Sequence, residues 1–215
     1  MKKWMLAVAI SVFACNGVLQ AEEISPNSSK SEQARNLLAQ MRGISMQPAA
    51  TAPDDGKIDE KELRRQSIVD GFRRLGPGGL PVLVGALSDH HVQMRRNVTQ
   101  VLLALAGPWE GRPTLAIKSA LPGLITALED EDDDVRAWAA QGIGLIGADA
   151  KAAVPDLAKL LENSDEGSRN SACIALGDIG PAAKDSLPAL HKALGDPSND
   201  VRGFAQIAIT KIEGR

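Results

Sequence analysis

The sequence predicts an all-α protein in which antiparallel helix pairs stack on one another to form a solenoid. Four segments of similar sequence follow each other along the 215 residues, and the prolines that open the last three, Pro122, Pro155 and Pro188, are 33 residues apart. Each segment carries apolar residues at helical spacing, so neither of its helices can cover its apolar side alone. Aromatic residues make up only 3% of the chain, so Leu, Ile, Val and Ala must fill the core.

The first 21 residues have the features of a secretory signal peptide and are excluded from the predicted fold. Lys2 and Lys3 precede the apolar stretch WMLAVAISVFA, which is too short to span a bilayer comfortably, and VLQA offers a cleavage site after Ala21. The segment VFAC, which ends at Cys15, also resembles a bacterial lipobox, although Phe13 is larger than the residue usual there. Export to the periplasm or the medium is expected, with a lipoprotein anchored to the membrane at Cys15 as the alternative.

Residues 22–57 are predicted to form a linker that contains one short helix. The linker is rich in Ser, Asn, Gln, Ala and Pro, and the helix is predicted at Ser31–Met41, with Ser29 and Glu32 as a capping box. This helix is expected to cap the first repeat of a solenoid that covers residues 58–215. A partial copy is expected at about residues 58–79. The full copies are expected at about residues 80–120, 121–153, 154–186 and 187–215.

Each copy is predicted to contain a first helix that opens with proline and a second helix that follows a short polar turn. Proline fits the opening turn because its missing N–H has no partner there in any case. In the first helix, the apolar face is formed by Leu121, Leu124 and Leu128. In the second helix, the buried stripe is formed by Val135, Ala139, Ile143 and Ile146.

The stretch QGIGLIG contains the G-x-G-x-x-G pattern of a dinucleotide-binding turn, but in the wrong setting. Such a turn follows a buried β-strand and opens a helix, whereas acidic and then helical residues precede Gly142. Gly147 aligns with Gly180 at the end of the buried stripe, where glycine adopts the left-handed conformation at little cost. Neither a dinucleotide nor any other cofactor is therefore expected.

The repeats resemble bacterial short HEAT repeats, of the kind also seen in phycobilin-lyase-like proteins. The likeness covers roughly Ile58–Gly214 and rests on LPxLxxAL in the first helix and on D-x-x-x-x-V-R-x-x-A-A leading into IG in the second. It implies a right-handed α-solenoid whose second helices line the concave side. It also implies binding of a partner rather than a fixed chemistry.

An acid or amide precedes an arginine by six residues in every copy. The resemblance implies that these residues form a hydrogen-bonded ladder along the turns, in which each acid or amide reaches the arginine of its own or a neighbouring copy. The ladder residues are Asp59 and Arg65, Asp89 and Arg95, Asp130 and Arg136, Asn163 and Arg169, and Asp196 and Arg202.

Catalytic and metal-binding classes are not favoured by the sequence. It has no His-Glu pair of the kind that deoxyhypusine-hydroxylase-like relatives use for iron, and export argues against a phycobilin lyase, which acts inside the cell. His90 and His91 are adjacent, and neighbouring helical residues point about 100° apart, so no metal site is expected there. The acidic run Glu129–Asp134 lacks the spacing and glycine of a calcium loop.

Two further classes of site are also set aside. Cys173 is expected to be a buried, inert thiol because it takes the place of Ala140 in the repeat. A net charge of −3 gives no basic footprint for nucleic acid.

A protein partner is expected on the concave face, on a strip that lies one, five and eight positions after each ladder arginine. The candidate contacts on this strip are Arg96, Gln100, Gln141 and Asn170, whose side chains are expected to face water. Trp138 is the expected anchor because Trp is enriched in binding hot spots, although Trp138 and Phe204 are also placed to bridge adjacent copies. The insertion Pro108–Lys118 offers Trp109 as a competing contact.

The alternative function is an enzyme or small-ligand carrier that uses the concave groove. That function requires a deep apolar pocket with convergent polar groups, whereas a scaffold requires an open curved face.

Overall fold

The computed structural model describes residues 29–42, 44, 60–107 and 117–214, which are helical with no β-strand among them. The helices are α1 (Lys30–Met41), α2 (Glu60–Leu75), α3 (Leu80–Ala86), α4 (Val92–Ala106), α5 (Leu121–Ala127), α6 (Asp133–Ile146), α7 (Val154–Leu160), α8 (Glu166–Ile179), α9 (Leu187–Ala193) and α10 (Asn199–Glu213). Four 3-10 turns precede the short helices, at Gly76–Gly79, Ile117–Ala120, Gly147–Ala153 and Gly180–Ser186. The predicted all-α solenoid is confirmed.

Short first helices alternate with longer second helices, and the second helices form a continuous stack. The first helices α3, α5, α7 and α9 each have 7 residues and carry proline in their opening turn. Each packs against its own second helix, while α4 packs on α6, α6 on α8 and α8 on α10. The first copy differs because α2, which contains Arg65, occupies the second-helix place and packs on α4.

Helix α1 packs against α2 and α3 at the start of the stack. It begins at the N-cap residue Ser29, whose Oγ accepts a hydrogen bond from the Glu32 amide at 3.2 Å. The Asn97 side chain of α4 donates to the carbonyl oxygens of Met41 and Ile44, at 3.0 and 2.6 Å. Helix α1 is therefore tied to both the first and the second copy.

Side-chain caps and glycine stops define the second helices. The side chain of Asp132 accepts a hydrogen bond from the Val135 amide at the start of α6. At the start of α8, the side chain of Asp165 accepts a hydrogen bond from the Ser168 amide. Gly147 and Gly180 end these helices at φ values of 70° and 68°, a region that favours glycine. Gly142 lies inside α6, as the repeat alignment predicts.

The core consists of aliphatic side chains that recur at equivalent positions in each copy. The buried stripe of α6 contains Val135, Ala139 and Ile143, whereas Ile146 at its end is only half-buried. The Cys173 thiol is fully buried, and burial raises its pKa to about 12, so it is protonated at neutral pH. Within the described part of the chain, no helix has the length and apolar character needed to cross a membrane.

Some predictions concern residues that lie outside the described ranges. They are the signal peptide at residues 1–21, Cys15, most of the linker at residues 22–57, Asp59 and Trp109. These stay predictions from the sequence.

Candidate partner-binding face

Ladder contacts join successive turns at the N-terminal ends of the second helices. Arg95 donates two hydrogen bonds to the carboxylate of Asp130, at 2.7 and 3.0 Å, and Arg169 does the same to Asp196, at 2.8 and 3.0 Å. Each pair links one copy to the next, and all four side chains are largely buried. Arg169 also donates to the Asn163 carbonyl oxygen of its own turn at 3.0 Å. The ladder therefore fixes both the shape of each turn and its position relative to the next.

The remaining ladder positions differ from these two ion pairs. Arg136 donates to the Asp130 carbonyl oxygen at 2.7 Å, and it reaches the neutral side chain of Asn163 only at 3.4 Å. Arg202 belongs to the last copy and donates to the Asp196 carbonyl oxygen at 2.7 Å. Asp89 faces two histidines instead of an arginine.

The ladder carboxylates make stability dependent on acid pH. A hydrogen bond from Arg169 holds the pKa of Asp196 below its usual value, and Arg96 does the same for Asp132. Because the folded-state pKa lies below the unfolded one, the ionised carboxylates stabilise the fold above about pH 4, and this contribution is lost as the pH falls through the lowered folded pKa. We expect the melting temperature to fall below about pH 4, and to fall less steeply in Asp196→Asn. Parallel melting profiles for the two proteins would contradict this assignment.

Two of the predicted contact residues on the strip link copies to one another. Arg96 donates to both carboxylate oxygens of Asp132, at 2.9 and 2.6 Å. The Gln141 amide lies 3.4 Å from the Ser171 hydroxyl of the following copy. The expectation that these side chains simply face water is therefore wrong. The reason is that each second helix packs partly over this side of the preceding second helix. Arg96 and Gln141 are therefore half-buried.

The other two predicted contacts are amides that are also half-buried. Gln100 and Asn170 each have a side-chain oxygen that is buried and accepts no hydrogen bond from the described residues. An unmet buried acceptor costs roughly 1–3 kcal/mol. A modest side-chain rotation toward the surface would bring either amide to water or to a partner.

Apolar side chains are exposed on the same side of the second helices. Leu145 is 46% exposed on α6, and Ile207 is 52% exposed on α10. Trp138 is half-buried, and Phe204 is half-buried and packs against the core. Leu145 lies four residues after Gln141, so helical spacing places both on one side, although the sequence analysis did not single out Leu145.

These residues together define the second-helix face of the protein. Its members are Arg96, Gln100, Trp138, Gln141, Leu145, Asn170 and Ile207. It therefore combines apolar, amide and charged groups over α4, α6, α8 and α10.

Charge is unevenly distributed along the stack. Residues 60–107 contain seven basic and four acidic residues, whereas residues 121–210 contain seven basic and 15 acidic residues. Exposed carboxylates border the second-helix face at the N-terminal ends of α6, α8 and α10, among them Glu131, Asp133, Glu166 and Asp200. The later copies therefore present an acidic edge.

Two grooves found elsewhere on the described surface are open to solvent. One follows the turns and is lined by Glu129, Asp130, Arg136, Lys159 and Asn163. The other follows α7 and is lined by Lys151, Val154, Pro155, Ala158, Ala182 and Asp185. Neither includes a residue of the second-helix face.

One family model matches part of the chain. Residues 121–210 match the family model of HEAT repeats. No curated protein matches the chain. An engineered protein shares 20% identity with a TM-score of 0.59, over 88% of this chain and 93% of that one.

Two further solved structures share the fold. The complex of CpcE and CpcF of phycocyanin lyase from Nostoc sp. PCC7120 is 21% identical with a TM-score of 0.57, over 94% of this chain and 71% of that one. A designed armadillo repeat protein in complex with the peptide (KR)4 is 18% identical with a TM-score of 0.59, over 85% of this chain and 90% of that one. At these identities the likeness concerns the fold.

Proposed function

Because this chain is a HEAT-like repeat protein, we propose that it is a non-catalytic scaffold that binds a protein partner through the second-helix face. The resemblance to HEAT repeats, in which the second helices line the concave side, supports a concave position for this face. The observation that carries the proposal is the exposure of Leu145 and Ile207 on a face that also carries Trp138. Exposed apolar groups next to an aromatic side chain are typical of protein-binding surfaces.

Amide groups on the same face supply the polar component of such an interface. Gln100 and Asn170 each hold an oxygen that accepts no hydrogen bond within the described chain. An extended partner backbone offers N–H donors that these oxygens can accept after a small rotation. Binding would then remove the free-energy cost of the two unsatisfied acceptors in the free protein.

The acidic edge supports a partner segment rich in Lys and Arg. Glu131 and Asp133 are paired with Arg95 and Arg136, but their side chains are 83% and 63% exposed, so an approaching cation can still reach both. The designed armadillo neighbour holds a peptide of this composition, (KR)4. Charge complementarity of this kind raises the association rate and weakens with salt.

The first test is affinity capture with matched variants of the protein. Trp138→Ala combined with Gln141→Ala and Asn170→Ala should abolish capture of the partner from an envelope extract. Asp185→Ala is the control because it removes an exposed side chain on the first-helix side. Arg96 stays intact because removing it would break its ion pair with Asp132. If the triple variant still captures the partner while Trp109→Ala does not, the partner binds the insertion loop instead.

The second test uses the peptide (KR)4 as a defined probe. We expect it to bind the full chain with an affinity that falls steeply with salt. Neutralising the edge by Asp133→Asn and Asp200→Asn should weaken binding further. Binding that is independent of salt and of these changes would rule out a basic partner on this edge.

The predicted signal peptide supports export, so we expect the mature protein to begin at Glu22 outside the cytoplasm. Mass spectrometry of the native N-terminus measures this directly. A diacylglycerol adduct on Cys15 would establish the lipoprotein form instead. An intact Met1 would contradict both forms.

A further inference from the structure

Three potential metal ligands converge in the turn between α3 and α4. The Asp89 carboxylate oxygen Oδ1 lies 3.5 Å from Nδ1 of His90 and 3.2 Å from Nδ1 of His91. One ligand atom from each of the three residues falls within 4.8 Å of the other two. Both imidazoles are open to solvent, with side chains that are 79% and 68% exposed, so an ion can enter directly.

The backbone removes the objection that the sequence raised against this histidine pair. His90 and His91 precede α4, which begins at Val92, so the 100° helical step between neighbours does not apply to them. His91 has an extended backbone, with φ −89° and ψ 116°. The two rings are tilted by 51° to each other, with their centroids 3.8 Å apart. Their Nδ1 atoms consequently approach the same carboxylate oxygen.

Asp89 also differs from its equivalents in the later turns. The carboxylates of Asp130 and Asp196 accept two hydrogen bonds each from the arginine of the preceding copy. Among the described residues, the groups that contact the Asp89 carboxylate are the His91 amide, at 2.8 Å, and the two imidazoles. An aspartate carboxylate such as that of Asp89 is ionised at neutral pH. Its negative charge faces imidazoles where the other turns supply a guanidinium.

Two of the three ligand–ligand separations match those around a tetrahedral zinc ion. With zinc–ligand distances of about 2.0–2.1 Å, two ligand atoms at the tetrahedral angle lie about 3.4 Å apart. The observed separations of 3.2 and 3.5 Å bracket this value. A set of two imidazoles and one carboxylate suits zinc better than calcium or magnesium, which prefer oxygen ligands.

We propose that Asp89, His90 and His91 form a binding site for a divalent transition metal ion of the zinc class. The ion takes one carboxylate oxygen and two imidazole nitrogens from this turn. Its remaining coordination position is open to water. The site lies at the start of α4 and is independent of the proposed second-helix interface.

Zinc sulfate titrated into the untagged full chain tests the site by isothermal calorimetry. We expect a single equivalent to bind, with affinity reduced at least about tenfold by His90→Gln combined with His91→Gln. His191→Gln is the matched control because His191 is an exposed histidine on α9. Asp89→Asn, which keeps an oxygen for the His91 amide, should also weaken binding.

The imidazole NMR signals of His90 and His91 provide a second readout that does not depend on heat. They should shift on addition of zinc while those of His191 stay in place. Zinc binding that survives in the double histidine variant would overturn the proposal. Failure of the wild-type chain to bind at millimolar zinc, with all three histidine signals unmoved, would overturn it as well.

Discussion

Arg169→Ala should lower the melting temperature by about 3–12 °C. The lost hydrogen bonds to a charged group contribute about 1.5–3 kcal/mol, and each kcal/mol corresponds to about 2–4 °C in a protein of this size. The change removes both hydrogen bonds to Asp196, and it leaves a carboxylate whose side chain is only 8% exposed. A buried charge without its partner is destabilising in itself. Thermal melting followed by circular dichroism measures the effect.

The last copy supplies a matched control for this ladder contact. Arg202 donates to the carbonyl oxygens of Asp196 and Pro197, at 2.7 and 3.1 Å, and to the Asn199 side chain, and all of these groups belong to its own copy. Arg202→Ala should therefore lower the melting temperature by clearly less than Arg169→Ala. Arg169→Lys should fall between wild type and Arg169→Ala, since lysine keeps the charge but not the paired geometry. Equal losses for the two alanine variants would show that the link between copies contributes nothing.

A second large effect is expected from Gly177→Leu, which should force α8 and α10 apart. A Cβ atom at residue 177 would lie 3.1 Å from the Cα atom of Ala208 and 3.3 Å from its Cβ atom. The obstacle includes backbone, which cannot move aside as a flexible side chain can. Overpacking of this kind costs typically about 1–3 kcal/mol and sometimes more. Chemical denaturation at fixed temperature measures the change in the free energy of unfolding.

Gly203→Ala is the control for this substitution because it places a side chain on the outer side of the last helix. Residue 203 lies in α10, and a Cβ atom there meets no other atom within 4 Å. Alanine should stabilise the protein by about 1 kcal/mol through its better helix propensity. An unchanged free energy of unfolding in Gly177→Leu would show that the two helices do not need their close approach.

The same contact explains a substitution within the repeat itself. Gly144 and Gly177 occupy equivalent positions, and each faces an alanine of the following second helix, Ala175 or Ala208. The last copy has Thr210 at this position, where its side chain is exposed, and α4 has the half-buried Leu103. Among the described second helices, the close approach of a following alanine is therefore seen where the residue is glycine, in α6 and α8. The G-x-G-x-x-G pattern thus arises from helix packing and from the helix stop at Gly147.

The sequence predicted the features that recur from copy to copy. Proline openings, glycine stops and the aliphatic stripe repeat at a nearly fixed step over the last three copies, so each of these copies supports the interpretation of the others. Helical periodicity also placed Gln141 and Arg96 on one side of their helices. It could not show how much of that side the next second helix covers, because inter-helix geometry depends on side-chain packing between copies. Arg96 was therefore expected in water, although it pairs with Asp132.

The histidine pair was set aside on the sequence for a different physical reason. Asp89, His90 and His91 occur together in only one turn, so no repeat marked them. Their convergence depends on the backbone angles ahead of α4, which spacing along the sequence does not reveal. Leu145 was missed because an apolar residue near a helix end resembles a core residue until its exposure is known.

The ladder also has a mechanical consequence. Each Arg–Asp contact joins a copy only to its immediate neighbour, so a pull on the two ends is transmitted through the contacts in series. A small widening at each interface then adds up to a large change in the length of the array. The array should therefore extend elastically under a small force, and its compliance should increase with the number of copies. A partner somewhat longer than the second-helix face could be accommodated by slight changes at all interfaces, without rupture of any one of them.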